Sequence, residues 1–377
     1  MEFALSETQE MLKKTARDFL EKECSKSYVK EMEKDEKGYS TELWEKMADI
    51  GWPGLAFPEK YGGSNGSFLD LAVLLEEMGR ACLPGPFFSN VVLSGLLILD
   101  AGSEQQKSEL LPKIASGDLV IALALTEPSN SYEPLGVTLK ASPEADGFVL
   151  DGTKLFVSDA HIADYIICVT RTKNGASKAG GITLFLVDAK SRGLSTTLLR
   201  TIGGDKQCEV VFDRVKVSRD SIIGDLDKRW PIIERAIERA VVGKCAEMVG
   251  GGQQVVEMAV AYAKEREQFG KPIGSFQAIQ FHCANMLTDV DISRYLTYEA
   301  AWKLSEGSPH TMEVAIAKAG VGDAYHRVVT LGHQVIGGVG YTEDHDMHLY
   351  FNRAKVAELL FGNADFYRER IALELGL

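Results

Sequence analysis

Residues 334–343 read QVIGGVGYTE in a chain of 377 residues. A helical pattern of apolar residues ends here, and three glycines follow within four positions. Glycine has no side chain beyond a hydrogen atom, so backbone amides in such a stretch can approach an anionic group closely. The sequence therefore predicts a helix end that contacts the anionic part of a cofactor.

The segments before this stretch also have a helical period. The pattern predicts long helices at about residues 231–267, 275–306 and 311–336, and one last helix that ends the chain. The first helix contains three consecutive glycines at residues 250–252, each of which would weaken a helix by roughly 1 kcal/mol. We therefore expect another backbone or a ligand to lie close to these glycines.

A different period occupies the middle of the chain. From about residue 120 to residue 224 the apolar residues alternate, which predicts β-strands. Residues 148–157, FVLDGTKLFV, indicate two strands around Asp151-Gly152, the strongest short hairpin signal. Residues 173–181 are predicted to form an exposed hairpin tip.

The N-terminal part, residues 6–121, is again helical and begins with the capping-box spacing of Ser6 and Gln9. Further helices are predicted at residues 41–50, 68–80, 89–100 and 104–115. The block order predicts an α+β multidomain chain of helices, a small β domain and a helical bundle. We place these domains at residues 1–120, 121–229 and 230–377.

Composition limits the classes of partner. The hydrophobic fraction of 45% and the charged fraction of 25% are those of a soluble globular protein. A net charge of −13 without a basic block makes nucleic acid or an anionic membrane surface an unsuitable partner. No apolar stretch is long enough for a membrane span, and the first residues lack the pattern of a signal peptide.

The six cysteines are scattered, with no C-x-x-C pair and no cysteine/histidine cluster. This spacing predicts buried thiols in a reducing compartment and no metal site. The expected location is therefore cytoplasmic, or a matrix-like compartment.

A second candidate anion site lies at residues 266–277, REQFGKPIGSFQ. Gly270 and Pro272 should end one long helix, and the free amides of the next helix together with Arg266 would suit an anion. The alternative is an ordinary helix corner with a solvated arginine.

Two polar side chains frame an aromatic one in the β region. The hydroxyls of Thr126 and Ser158, beside Phe156, could hydrogen-bond and cover a planar heterocycle. The alternative is a hairpin with a core aromatic residue.

Taken in order, these motifs resemble the acyl-CoA dehydrogenase family of FAD flavoproteins. The matching segments are TEP at 126–128, GTKLF at 152–156, R-x-x-F-G at 266–270 and QVIGGVGYTE, with FPEKYGG at 57–63 near the N-terminus. The resemblance covers essentially the whole chain. It implies an N-terminal all-α domain, a middle β-barrel and a C-terminal four-helix bundle.

The resemblance also implies cofactor contacts. Thr126, Phe156 and Ser158 would meet the flavin ring of FAD. The FAD of a neighbouring subunit would be reached by Arg266, Phe269, Gln277, Gln334, Gly337 and Gly338. Sharing a cofactor in this way implies an obligate oligomer, typically a homotetramer.

The residues expected to contact the substrate match the family pattern less well than the cofactor contacts do. The Gly-x-Gly-Ser that usually follows Thr-Glu-Pro is replaced here by residues 129–132, SNSY, which leaves Ser131 as a candidate contact. Arg239 is a second candidate, for the CoA or thioester region.

The family reaction removes an α-proton from an acyl-CoA thioester while a hydride leaves the β-carbon for flavin N5. A carboxylate must accept that proton. Phe361 occupies the usual last-loop glutamate position, which places the chain in a subgroup lacking that residue, and Ala240 occupies the second family position. Glu247, seven residues after Ala240 on roughly the same helix face, is the best substitute base. The alternative is an ion pair between Glu247 and Lys244 on a solvated face.

The sequence thus predicts FAD-dependent α,β-dehydrogenation of an acyl-CoA, with a bulky, alicyclic or aromatic-derived acyl group as one option. Electrons would pass to an electron-transfer flavoprotein. Two alternatives stay open: a base-less partner subunit of an α2β2 assembly, and an oxidase on the same fold.

Overall fold

The computed structural model describes residues 4–173 and 179–377. The α-helices are α1 (Glu7–Glu23), α2 (Lys26–Lys34), α3 (Thr41–Asp49), α4 (Phe68–Ala81), α5 (Leu96–Ala101), α6 (Glu104–Ala115), α7 (Trp230–Glu265), α8 (Gln277–Glu306), α9 (Thr311–Ile336), α10 (Met347–Leu359) and α11 (Ala364–Glu374). A π-helix, Phe87–Gly95, leads into α5. The strands are β1 (Ile121–Ala124), β2 (Lys140–Glu144), β3 (Gly147–Ser158), β4 (Tyr165–Arg171), β5 (Ile182–Asp188), β6 (Leu194–Leu199), β7 (Gln207–Ser218), β8 (Ile222–Ile223), β9 (Glu267–Gln268) and β10 (Lys271–Pro272).

The chain divides into two compact units. The helical unit consists of Met1–Glu31, Ser67–Leu83 and Val241–Leu377, and the sheet unit consists of Met32–Gly66 and Pro84–Ala240. The predicted order of N-terminal helices, a middle β region and C-terminal helices is confirmed.

The predicted middle barrel takes the form of an eight-stranded sheet among the described residues. Its order is β6-β7-β3-β2-β4-β5-β8, and β1 pairs with β4 in parallel. Alternate side chains of β3 and its neighbours point into one core, where the rings of Phe148 and Phe185 lie 5.1 Å apart. The predicted tip at 173–181 includes residues 174–178, which lie outside the described residues.

The predicted hairpin at Asp151-Gly152 is wrong. β3 is one continuous strand that pairs with β7 on both sides of these residues, with a register shift between Leu150 and Gly152. Gly152 has φ +144° and lies next to a bulge whose extra residue belongs to β7, where Arg214 has φ +52°, so the dipeptide forms no turn. The actual hairpin joins β2 to β3, where Glu144 pairs with Gly147. A local Asp-Gly signal is compatible with both structures, and the pairing partner decides between them.

The helical unit follows the sequence pattern more closely. The capping box of α1 is present, with Ser6 Oγ accepting from the Gln9 amide at 3.2 Å. The range of α9 agrees with the prediction, 311–336. The prediction of a single last helix is wrong, because α10 and α11 are separated at Gly362, which has φ +103°. Asn363 then caps α11 by accepting from the Phe366 amide at 3.0 Å.

The three consecutive glycines do lie inside α7, and α4 packs directly on them. A Cβ atom on Gly250 would lie 1.7 Å from the backbone oxygen of Glu76. On the facing helix, a Cβ on Gly79 would lie 2.1 Å from the backbone oxygen of Glu247. The close approach of another backbone is therefore confirmed, and it holds the Glu247 turn of α7 against α4.

Gly250→Ala is expected to destabilise the protein by about 1–3 kcal/mol or more, because the new methyl group would force α4 and α7 apart. Urea unfolding measures this change in the free energy of unfolding. Gly322→Ala in α9 is the matched control, since nothing lies within 4 Å of its added Cβ. Equal effects of the two substitutions would contradict the packing argument.

Among the described residues, none of the helices combines the length and apolar character that crossing a membrane requires.

Candidate functional site

A buried ion pair organises one end of the sheet. Lys154 is 0% exposed and Glu127 is 3% exposed, and their Nζ and Oε1 atoms lie 2.7 Å apart. Lys154 also donates to the backbone oxygen of Leu125 at 3.0 Å, and the Leu155 amide donates to the Thr126 oxygen at 2.9 Å. The pair therefore ties the segment after β1 to β3.

The Glu127 carboxylate has further donors. It accepts from the amides of Thr138 and Leu139, each at 3.0 Å, and from the Thr138 hydroxyl. Burial raises the pKa of Glu127, but the Lys154 ammonium and these hydrogen bonds lower the pKa below its ordinary value overall. The Glu127 carboxylate is thus charged at neutral pH. The sequence motifs contain both residues, but their pairing across 27 positions is visible only in the structure.

Phe156 lies beside this pair in an unusual conformation. Its φ is +55°, at a register shift between Lys154 and Val157, and its side chain is 46% exposed. An aromatic residue with positive φ is strained, and such strain concentrates at functional positions. The bulge turns the ring out of the sheet core, so the alternative of a core aromatic is wrong. Buried Thr126 and half-buried Ser158 are close in the chain to the same pair.

The two candidate substrate contacts are both engaged within the sheet unit. Ser131 Oγ accepts from the Glu133 amide at 3.3 Å in a local turn. Arg239 Nη1 donates to Asp100 Oδ2 at 2.7 Å, so its charge is already matched by a carboxylate. Any contact with a substrate must compete with these partners.

Glu247 forms the predicted alternative, an ion pair with Lys244 at 2.7 Å. This face of α7 is nevertheless not fully exposed to solvent, because the Glu247 side chain is only 26% exposed and the Lys244 side chain only 17%. The space over Gly251 on this face is filled by the Tyr325 ring, whose hydroxyl would lie 2.4 Å from an added Cβ. The Tyr325 ring therefore closes this face of α7 at Gly251, while the carboxylate of Glu247 itself stays half-buried.

The position that the resemblance gives to the catalytic base holds a packed aromatic residue. Phe361 is 8% exposed with φ +60°, and its backbone oxygen accepts from the Tyr367 hydroxyl at 2.8 Å. This loop therefore presents an apolar side chain where the resemblance would place a carboxylate.

Residues 266–277 form a small hairpin and not a plain helix corner. β9 and β10 pair around Phe269 and Gly270, both with positive φ. Phe269 is 93% exposed, while Arg266 and Gln277 are exposed beside it. An aromatic ring held at such a tip is available to a ligand or to another subunit.

The glycine turn after α9 is open on its outer side. Added Cβ atoms on Gly337 and Gly338 would meet nothing within 4 Å, and Gln334 is exposed one turn earlier. Beneath the turn lies His333, a residue missed by sequence reasoning, whose ring stacks on Tyr341 with centroids 4.2 Å apart. The bare glycine backbone of this turn suits the close approach of an anionic group.

The chain is similar to known proteins along nearly its whole length. The sequence matches the family models of the acyl-CoA dehydrogenase N-terminal domain at residues 6–118, the middle domain at 122–215 and the C-terminal domain at 230–376. It is 32% identical to a 3-(aryl)acrylate reductase of Clostridium sporogenes, over 98% of this chain and 99% of that protein.

Solved structures of similar proteins have the same fold as this chain. Butyryl-CoA dehydrogenase from Megasphaera elsdenii superposes with a TM-score of 0.92 and 30% identity, and the match covers 100% of both chains. The ChsE4-ChsE5 complex of Mycobacterium tuberculosis gives a TM-score of 0.91 and 28% identity, over 100% of this chain and 99% of the other.

Proposed function

Because this chain belongs to the acyl-CoA dehydrogenase family of FAD-dependent oxidoreductases, we propose that it desaturates an acyl-CoA at the α,β position with Glu247 as the base. The main support is the half-buried carboxylate of Glu247 on α7, in a chain whose last loop carries Phe361 instead. We assign the chain to the subgroup of this family that lacks the usual last-loop glutamate.

In this mechanism the α C–H bond breaks and its proton moves to a carboxylate oxygen of Glu247. FAD, when bound, supplies the acceptor for the β-hydride. Thr126 and Ser158 would hydrogen-bond the flavin ring and Phe156 would cover it, positions that the Lys154–Glu127 pair holds in place. Ser131 and Arg239 remain proposed substrate contacts, once released from Glu133 and Asp100.

We further propose that Arg266, Phe269 and Gln277, with the turn at Gln334, Gly337 and Gly338, bind FAD held by a neighbouring subunit of a homotetramer. The exposure of Phe269, 93%, supports this assignment. α8 exposes several further apolar side chains, namely Phe281, Leu287, Ile292 and Tyr295. An α2β2 assembly with a related chain is the second candidate, and the similarity to a two-protein complex favours it.

Phe269→Ala is expected to weaken FAD binding about tenfold or more, because an exposed aromatic anchor is lost from a shared site. FAD content after gel filtration and the native mass of the assembly measure the effect. Met11→Ala, a change of a similarly exposed residue on α1 at 68% exposure, should leave both unchanged. Full FAD retention by the Phe269 variant would exclude a role for this ring.

The proposed reaction is tested by anaerobic bleaching of the bound flavin with straight, branched, alicyclic and aromatic acyl-CoAs. At least one of these should reduce the flavin, and reoxidation by an electron-transfer flavoprotein should be much faster than by oxygen. Rapid formation of hydrogen peroxide would instead identify an oxidase. A yellow protein that none of the acyl-CoAs bleaches would refute dehydrogenation by the single chain.

For the location we propose the cytoplasm. All six cysteines carry free thiols, and burial raises the pKa of Cys168 and Cys245 to about 12. Such unreactive, unpaired thiols suit a reducing compartment.

A further inference from the structure

A cavity of about 260 Å³ lies inside the helical unit, between α1, α4 and α7. The residues that we assigned to catalysis and to FAD or substrate contacts are not among those that line it. Its volume is slightly below the range of about 300–1,000 Å³ that is typical of ligand pockets. A ligand of this cavity must therefore be small.

Arg80 on α4 lines the cavity with a side chain that is only 12% exposed. Its Nη2 atom pairs with Glu257 Oε2 at 2.6 Å, and Glu21 Oε1 lies 3.8 Å from the same nitrogen. Nε and Nη1, in contrast, are buried and have no hydrogen-bond acceptor among the described residues. Because buried donors are nearly always paired in native proteins, these two nitrogens indicate that an acceptor binds beside them.

Two neighbouring glutamates already accept hydrogen bonds from other donors. Both oxygens of Glu77 are engaged by Arg17, whose Nη2 lies 2.7 Å from Oε1 and whose Nε lies 2.9 Å from Oε2. Glu257 Oε1 accepts from Gln253 Nε2 at 3.0 Å. The acceptor for Arg80 Nε and Nη1 is therefore expected to be a bound molecule, with ordered water as the alternative.

Lys26 adds a further positive charge to the lining. Its Nζ atom donates to the backbone oxygens of Arg80 at 3.0 Å and Ala81 at 2.6 Å, and it lies 5.1 Å from the centre of the Tyr350 ring. Carbonyl groups and an aromatic face carry no net negative charge. The lining carboxylate of Glu21 is exposed, so solvent screens its repulsion of an anion. The inner wall of the cavity therefore suits an anion.

The apolar part of the lining distinguishes between kinds of anion. Leu20, Cys24 and Ala81 line the cavity and are buried, so they present apolar surface to a ligand. A carboxylate forms a planar, bidentate pair with a guanidinium, and its hydrocarbon part can contact this surface. Inorganic phosphate would instead place further charged oxygens against the apolar side chains, which is costly.

We propose that this cavity binds a small aliphatic carboxylate, whose oxygens accept from Arg80 Nε and Nη1 and whose hydrocarbon part packs on Leu20 and Ala81. Lys26 adds electrostatic attraction. Since both nitrogens are shielded from solvent, binding turns this edge of the guanidinium towards the cavity while Nη2 keeps its contact with Glu257. The inference goes beyond the proposed function, because none of these residues takes part in the proposed dehydrogenation.

The test measures binding of pentanoate, pentanamide and inorganic phosphate to the FAD-loaded, full-length protein by isothermal calorimetry. Pentanoate should bind at one site per subunit. Pentanamide, which has nearly the same shape but no charge, should bind about tenfold to a hundredfold more weakly. Arg80→Met should weaken pentanoate binding by a similar factor. Equal affinities for pentanoate and pentanamide, or tighter binding of phosphate, would contradict a carboxylate site.

Two further variants separate loss of the site from loss of folding, which thermal unfolding monitors. Ala81→Leu removes no charge but fills part of the cavity, so it should also weaken pentanoate binding about tenfold. Arg327→Met on α9 is the matched control and should bind normally, since Arg327 pairs with Asp289 at 2.7 Å and does not line the cavity. Wild-type affinity in folded Arg80→Met or in Ala81→Leu would overturn the inference.

A crystal soaked in a bromine-substituted pentanoate locates the ligand directly. Its anomalous bromine signal should lie in the cavity, beside Leu20. A signal only elsewhere in the protein, ordered water alone beside Arg80, or no binding of pentanoate to the wild type would each refute the site. Flavin reduction by acyl-CoAs is a separate measurement, so a failure of the proposed function would leave this result unaffected.

Discussion

Replacing Glu247 by glutamine is expected to slow flavin reduction by an acyl-CoA by about 10²–10⁴-fold, the usual contribution of a general base. Glutamine has nearly the same shape but cannot accept the α-proton. The substitution leaves the packing of the Glu247 backbone against Gly79 in place. Anaerobic single-turnover kinetics on FAD-loaded protein measures the rate without interference from the electron acceptor.

Glu257→Gln is the control for this experiment. Glu257 is also a partly buried carboxylate on α7 and pairs with Arg80 at 2.6 Å, but it has no proposed role in proton transfer. Its variant should keep the wild-type rate. If Glu247→Gln reacts as fast as the wild type, Glu247 is not the base. If the wild type is itself inert until a related chain is co-expressed, the chain is the base-less partner of an α2β2 assembly.

Lys154→Met is expected to destabilise the protein by about 3–5 kcal/mol at neutral pH, because the buried Glu127 carboxylate would lose its counter-ion. Urea unfolding measures this loss. Lys216→Met is the surface control, since Lys216 and Glu144 form an exposed ion pair at 2.8 Å. An exposed pair contributes about 0–1 kcal/mol. Equal effects of the two substitutions would show that burial of the pair has no energetic consequence.

The stability that the Lys154–Glu127 pair contributes is also expected to depend on pH. The pKa of Glu127 is lowered in the folded protein, so the pair contributes stability above the pKa of the unfolded state. This contribution is lost as the pH falls through the lowered folded-state pKa. The difference between wild type and Lys154→Met should therefore shrink in acid. The double variant Lys154→Met/Glu127→Leu should recover most of the lost stability at neutral pH, since both charges are removed together.

Several elements could be predicted because they depend on near neighbours in the chain. The Ser6–Gln9 capping box is a local hydrogen-bonding pattern, and the bounds of α9 follow from one uninterrupted apolar stripe. The ordered motifs that led to the family are also short segments. The expectation of a close backbone at residues 250–252 succeeded for a similar reason, since glycine costs helix stability unless something needs the space.

Other features were predicted wrongly, or could not be predicted at all, because they depend on residues that are distant in sequence. Asp151-Gly152 forms no turn because β7 continues to pair with β3 beyond it, and the predicted last helix is interrupted at Gly362. The exposure of Phe156 follows from a register shift that no local pattern encodes. The space over Gly251 is filled by Tyr325, a residue of α9 that is distant in sequence.

The sequence alone thus determined the block order, the family and the absence of a glutamate at position 361, because hydrophobic period and short motifs are local properties. Tertiary structure alone decided that Lys154 meets Glu127 across 27 residues and how far the Glu247 side chain is buried. Burial and charge pairing are set by whatever element packs opposite a residue. For this protein the chemistry proposed for Glu247 depends on those two quantities.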